Sequence, residues 1–124
     1  MTKKIVVDFK KITFRLKIDE DGYPPVSFES LWGISQGEHS ALIDNFPYYI
    51  YGVSKGDVVA FEIVEGECFA SAVTARGGHS TLRVFSEVFE QSEEIMQALR
   101  EFGAACSKTK GLSLFVVDIP SEIK

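Results

Sequence analysis

The densest set of chemically capable side chains is Gly77-Gly78-His79-Ser80-Thr81-Leu82-Arg83-Val84. Alternate residues of a strand share a face, so His79, Thr81 and Arg83 project together and Ser80, Leu82 and Val84 project the other way. With Leu82 and Val84 toward a core, the first three form a polar row about 13 Å long at strand rise. An imidazole in that row could take or give a proton near neutral pH. The guanidinium could hold a carboxylate or phosphate in two parallel hydrogen bonds. The paired glycines allow a sharp turn or a close approach. The same residues also suit a hairpin turn followed by a half-solvated strand. Ser80 is not a nucleophile for His79, because adjacent strand residues face opposite ways. Asp57, in Gly56-Asp57 ahead of Val58-Val59, is either a turn former bonded to its own backbone or a carboxylate that orients His79 if the fold brings them together.

Recognition is the second chemistry on offer. Phe46, Tyr48, Tyr49 and Tyr51 cluster in an irregular stretch with Trp32 upstream. Such rings bury much area and keep a polar tip, which suits a binding surface. They would equally well close the end of a small barrel. Glu87, Glu90, Glu93 and Glu94 form an acidic run, either a solvated face or a field that steers a basic partner. Cys68 and Cys106, the two cysteines, sit among apolar residues and read as small hydrophobes rather than a disulfide framework. With His39 and His79 they have no short metal-ligand spacing, so no metal is expected. The sequence has no Gly-x-Ser-x-Gly elbow and no phosphate loop, and no cofactor is expected.

Length and balance bound the remaining classes. A chain of 124 residues that is 45% hydrophobic, with net charge −5, reads as a single compact domain over 1–124 rather than a disordered one. No apolar run approaches the roughly 20 residues that span a bilayer, so no membrane partner is expected. No clustered positive face points to nucleic acid. Met1–Asp8 holds too few apolar residues for a secretory leader, which predicts a cytoplasmic protein.

These groups need elements to carry them. Ile12, Phe14, Leu16 and Ile18 alternate with Thr13, Arg15 and Lys17, the period-two pattern of a strand with one dry face. Turn residues at 19–25 end it, and strands are predicted over 26–34, 39–44, 58–64, 68–76 and 80–88. Glu65-Gly66-Glu67 and Gly77-Gly78 are the turns. Past Ser92, a potential cap, Ile95, Leu99, Phe102 and Cys106 recur at helical spacing, which predicts one amphipathic helix over about 92–107. Leu112 to Ile119 is apolar on both faces and reads as a central strand, the last of the chain. The expected fold is α+β: a small antiparallel β-barrel or sandwich-like body with one C-terminal amphipathic helix in a β-α-β unit.

Four segments occur in order: Glu29-Ser30-Leu31-Trp32-Gly33, Leu42-Ile43-Asp44-Asn45-Phe46-Pro47-Tyr48-Tyr49, Tyr51-Gly52-Val53-Ser54-Lys55-Gly56-Asp57-Val58-Val59, and Gly77 to Val84. Across about residues 26–119 the series resembles a bacterial family of small stand-alone proteins, domain of unknown function 4265. The resemblance implies a bacterial cytosolic protein and supplies no reaction, cofactor or catalytic residue.

The expected function is a non-enzymatic protein-binding domain. Its most concrete version is a bacterial immunity protein that neutralises a toxin by covering the active site. Trp32, Tyr48, Tyr49, Tyr51, His79, Thr81 and Arg83 are the candidate contact residues. Glu90, Glu93 and Glu94 would steer a basic toxin domain. The rival expectation is a small enzyme or ligand-binding module built on His79, Thr81, Arg83 and Asp57, with those groups converging in a pocket.

Overall fold

The structure, a computed structural model, describes residues 7–86 and 88–123, with the backbone alone at Phe89. The reading of Met1–Val6 as no leader, and Glu87 of the acidic run, lie outside the described residues. Five strands close into a barrel: β1 (Phe9–Arg15), β2 (Phe28–Gly37), β3 (Ser40–Ile43), β4 (Val58–Val64) and β5 (Glu67–Ala75). Each is antiparallel to the next in the chain. An odd number of alternating strands leaves the first and last running the same way, so the closing pair β1–β5 is parallel, with Ile12 opposite Cys68. The period-two faces decide the interior. Ile12, Phe14, Leu31, Ala41, Ile43, Val59 and Phe61 point inward and are buried, with Val53 from the β3–β4 loop beside them. The β4–β5 hairpin turns on Glu65 and Gly66, with φ of 51° and 84°. Two consecutive positive φ angles match the twist of the flanking strands.

A second sheet holds β6 (Ser80–Phe85), β7 (Ala105–Lys108) and β8 (Leu114–Ile119) in the order β6-β8-β7. The one α-helix among the described residues, α1 (Phe89–Glu101), joins β6 to β7. The chain is therefore α+β with a sheet-rich body, as expected. β8 is the central strand, and Leu114 through Asp118 are buried on both faces. Register and alternation separate those faces. Val84, Phe115, Val117 and Cys106 lie under α1, where Met96 and Leu99 cover them. Thr81, Arg83, Val116, Asp118 and Ser107 lie on the other face, toward the β3–β4 loop of the barrel.

The C-terminal third departs from the sequence expectation in three ways. The helix ends at Glu101 rather than near residue 107, because Gly103 takes φ 98° and stops it. Residues 105–108 then form a strand. Cys106 had fitted both the helical stripe and a strand, and the close of the second sheet selects the strand. β8, shorter than the expected 112–119, is antiparallel to β6. The parallel partner of β6 is β7, with β8 between them. Finally, Ser92 is not the cap: the helix begins at Phe89, and Ser92 is buried with its hydroxyl donating to the Val88 carbonyl. Of the expected core stripe, Leu99 packs on the sheet with neighbouring Met96, while Ile95 and Phe102 are 40% and 78% exposed.

Burial beneath α1 pushes the Cys106 thiol up, and Arg100 draws it back only in part. A raised pKa leaves little thiolate at neutral pH, and the thiolate is the nucleophile. Alkylation followed residue by residue should therefore be slow at Cys106 near pH 7 and keep rising with pH beyond the range of an ordinary thiol.

Candidate functional site

The β3–β4 loop, residues 44–57, carries the aromatic stretch and lies between barrel and sheet. Two opposite charges fix it. From β2, Glu29 accepts the N–H of Tyr48 at 2.7 Å on one oxygen, and those of Tyr49 at 3.1 Å and Ile50 at 2.9 Å on the other. From β6, Arg83 donates Nε to the Tyr48 carbonyl at 2.8 Å and Nη2 to the Ile50 carbonyl. Charge-assisted hydrogen bonds of this kind are about twice as strong as neutral ones. Tyr48 adds a third tie, its hydroxyl 2.9 Å from that of Ser107 on β7. Arg83 and Tyr48 therefore position the loop rather than reach into solvent.

The rest of the expected polar row is also engaged. Thr81 shares a 2.6 Å hydrogen bond with Ser54 of the loop. His79 Nδ1 lies 2.9 Å from both carboxylate oxygens of Asp118. An ionised carboxylate only accepts, so Nδ1 carries the hydrogen. Asp57 does not meet His79. Its buried carboxylate takes the N–H of Ser54 at 2.9 Å, the N–H of Gly77 at 2.9 Å and Nη1 of Arg76 at 3.2 Å. The expected row is thus present as a row, but it faces the barrel loop, while Leu82 on the opposite face is 45% exposed. No hydroxyl bonds to His79 among the described residues. Among the described residues no group of three or more His, Cys, Asp or Glu could hold a metal ion.

The loop ends in an aromatic mouth. Tyr23 meets Tyr49 edge to face, ring centroids 6.1 Å apart, and Phe85 at 6.5 Å. Tyr51 lies under the Arg83 guanidinium, 4.9 Å from ring centroid to Cζ. Tyr51 and Phe85 are 70% and 65% exposed, whereas Tyr23 and Tyr49 are half-buried. Tyr23 is set by the turn at 19–23, where Asp19 Oδ1 accepts the N–H groups of Asp21 and Tyr23 at 2.9 and 3.0 Å. Burial, then the phenols of Tyr51 and Tyr49, push the Tyr23 hydroxyl above its usual range, while Arg83 acts against them. A cavity of about 400 Å³ opens here, lined in part by Lys17, Asp19, Tyr23, Tyr49 and Tyr51. Trp32 is 53% exposed on the outer face of β2, opposite Lys11, and is not in the mouth. Glu90, Glu93 and Glu94 are exposed on α1, across the second sheet from the loop.

A family model described as Domain of unknown function (DUF4265) matches residues 29–124. The chain belongs to this family. No curated protein matches it. Its fold is similar to that of a crystal structure of a hypothetical protein from Neisseria gonorrhoeae, with TM-score 0.69 and 16% identity over 98% of this chain and 80% of that one. At that identity the likeness is one of fold alone. In this DUF4265 chain no helix among the described residues is long and apolar enough to cross a membrane.

Sequence reasoning missed Glu29, Tyr23 and Asp118 as partners of the site. Glu29 and Tyr23 carried a weak signal: a lone carboxylate in a strand between Phe28 and Ser30, and an aromatic beside a turn. Asp118 in an otherwise apolar central strand carried a stronger one, since a buried carboxylate needs a partner. Two predictions follow from this geometry. Replacing Glu29 with Gln leaves one amide oxygen for three N–H groups. It should cost about 2 kcal/mol and speed hydrogen exchange at Tyr48, Tyr49 and Ile50. A Cβ on Gly77 would sit 2.5 Å from the Gly56 carbonyl oxygen, whereas at Gly22, with φ 79°, it would meet nothing within 4 Å. In denaturant titrations Gly77→Ala should lose about 2–3 kcal/mol to overpacking, and Gly22→Ala only about 1 kcal/mol of backbone strain.

Proposed function

We propose that this chain is a non-enzymatic protein-binding domain that holds its partner at the aromatic mouth. The observation that carries this reading is the exposure of Tyr51 and Phe85 beside half-buried Tyr23 and Tyr49, with Tyr49 and Tyr51 on the loop fixed by Glu29 and Arg83 and Phe85 at the end of β6. Large rings left in water on a rigid base offer apolar area that a partner recovers. They have two side-chain torsions each and lose little entropy on contact. The catalytic alternative is weaker on the same geometry. Asp57, Thr81 and Arg83 each serve hydrogen bonds within the fold, and His79 faces Asp118 without a hydroxyl beside it.

In the immunity version the partner is a toxin with a basic active-site region. Glu90, Glu93 and Glu94 would then raise the encounter rate through their field, from the side of the sheet opposite the mouth. We place the protein in the bacterial cytoplasm, where its two free thiols fit a reducing compartment.

The test is affinity purification of the full chain from bacterial cells, repeated with Tyr51→Ala/Phe85→Ala. The expected result is a stoichiometric protein partner whose affinity falls by about tenfold or more in the double variant, with thermal stability only slightly lowered by loss of the Tyr51–Arg83 and Phe85–Tyr23 contacts. Recovery of the chain alone, or a partner held equally well by the double variant, would overturn the reading. Charge reversal at Glu93 and Glu94 should slow association at low salt if the toxin version holds, and leave it unchanged otherwise.

A further inference from the structure

We propose that the cavity beneath the mouth binds a small organic oxyanion, a carboxylate or phosphate carried on an apolar or aromatic body. About 400 Å³ falls in the range of small-molecule sites. Leu16, Pro24 and Ile50 supply apolar wall between the rings of Tyr23, Tyr49 and Tyr51. The polar groups that remain available are mostly donors, the second carboxylate oxygen of Asp19 being the exception. The Tyr48 hydroxyl is bonded to Ser107, but those of Tyr23, Tyr49 and Tyr51 make no hydrogen bond among the described residues. Asp19, the acidic member of the lining, has an oxygen engaged by two N–H groups of its own turn. Lys17 adds an ammonium to the wall.

Arg15 also lines the cavity, with its guanidinium over the Phe69 ring, and Arg83 stands behind the lining as a third cation. Its guanidinium covers Tyr51, which lines the cavity. Nε and Nη2 are bonded to the Tyr48 and Ile50 carbonyls, while Nη1 has no acceptor among the described residues. The ion pairs described are Lys10–Asp8, Arg76–Asp57 and His79–Asp118, so Arg83 has no carboxylate of its own within 4 Å among them. Two cations in the lining, Arg15 and Lys17, with a half-buried guanidinium over Tyr51 that has a donor to spare, favour an anion. The whole chain is acidic, at −5, while this lining holds two cations, Arg15 and Lys17, against one carboxylate, Asp19. The ring walls add the requirement for an apolar body, because stacked or edge-on aromatic contact contributes beyond area alone.

This site shares the mouth with the proposed partner surface, and the two are measured separately. The experiment is an NMR titration of the isotope-labelled full chain at low salt with three probes: phenyl phosphate, benzyl alcohol and inorganic phosphate. Phenyl phosphate should give saturable shifts at Lys17, Tyr23, Tyr49 and Tyr51. Its Kd should be lower by about tenfold than that of either other probe, since neither supplies both the charge and the ring. Lys17→Gln should weaken it by about threefold or more, and Tyr51→Phe, which removes only a hydroxyl, should weaken it too. Lys10→Gln, at a lysine 3.6 Å from Asp8, should leave it unchanged. Absence of saturable shifts at these residues overturns the proposal. So does benzyl alcohol binding as tightly, which marks a merely apolar pocket, or inorganic phosphate binding as tightly, which marks charge without a ring site. Indifference to Lys17→Gln also overturns it. Phenyl phosphate binding without partner capture refutes the protein-binding reading alone. Partner capture without phenyl phosphate binding refutes this one alone.

Discussion

Three consecutive peptide groups, at Tyr48, Tyr49 and Ile50, lie between a carboxylate and a guanidinium. Glu29 takes their N–H groups from the barrel side and Arg83 takes two of their carbonyls from the sheet side. A loop has no ladder to satisfy its backbone, and half-buried N–H and C=O groups left unpaired would be costly. Here the two charges satisfy the loop and, through it, each other. The arrangement joins the barrel to the second sheet without a shared strand. It also aims the side chains that follow: Tyr49 against Tyr23, and Tyr51 under Arg83.

A second contact closes the same seam from its other end. Gly77 approaches the Gly56 backbone too closely for any side chain, and Asp57 binds the Gly77 N–H. His79 then reaches Asp118 on β8. Groups that look catalytic in a linear sequence are used here to lock two layers together. A carboxylate with three donors, or an imidazole on a buried aspartate, is as valuable for fixing a loop as for moving a proton. Which use applies depends on what else is within reach of the ring.

The second sheet separates two electrostatic surfaces. α1 covers one face and turns Glu90, Glu93 and Glu94 to water. The barrel loop covers the other, and the mouth beside it gathers Lys17, Arg83 and phenolic donors. A chain of net charge −5 can present a cationic corner because its acidic helix is held across a layer of buried strand. The field near each surface reflects local groups within about a Debye length rather than the total.

Local pattern placed the barrel strands and most of their turns, although β1 stops at Arg15 and leaves Ile18, expected on the dry face, 44% exposed. Ile12 and Phe14 alternate with Thr13 and Arg15, and the pleat converts that spacing directly into an inside and an outside. The run of residues 114–118 had no wet face to offer, so its central place was legible as well. Tertiary structure decided whatever depended on partners distant in the chain. The helix stripe extended past its true end because Cys106 satisfies a period of 3.6 and a period of 2 alike. Only Gly103, at φ 98°, and the vacancy beside β8 made it a strand. The polar row at 79, 81 and 83 was readable as a row, but the layer it would meet was not. Its partners Asp118, Ser54, Tyr48 and Ile50 are 27 to 39 residues away. Periodicity tells which residues share a face, since that follows from backbone geometry alone. What covers the face is set by how the chain closes on itself, and no local spacing records that.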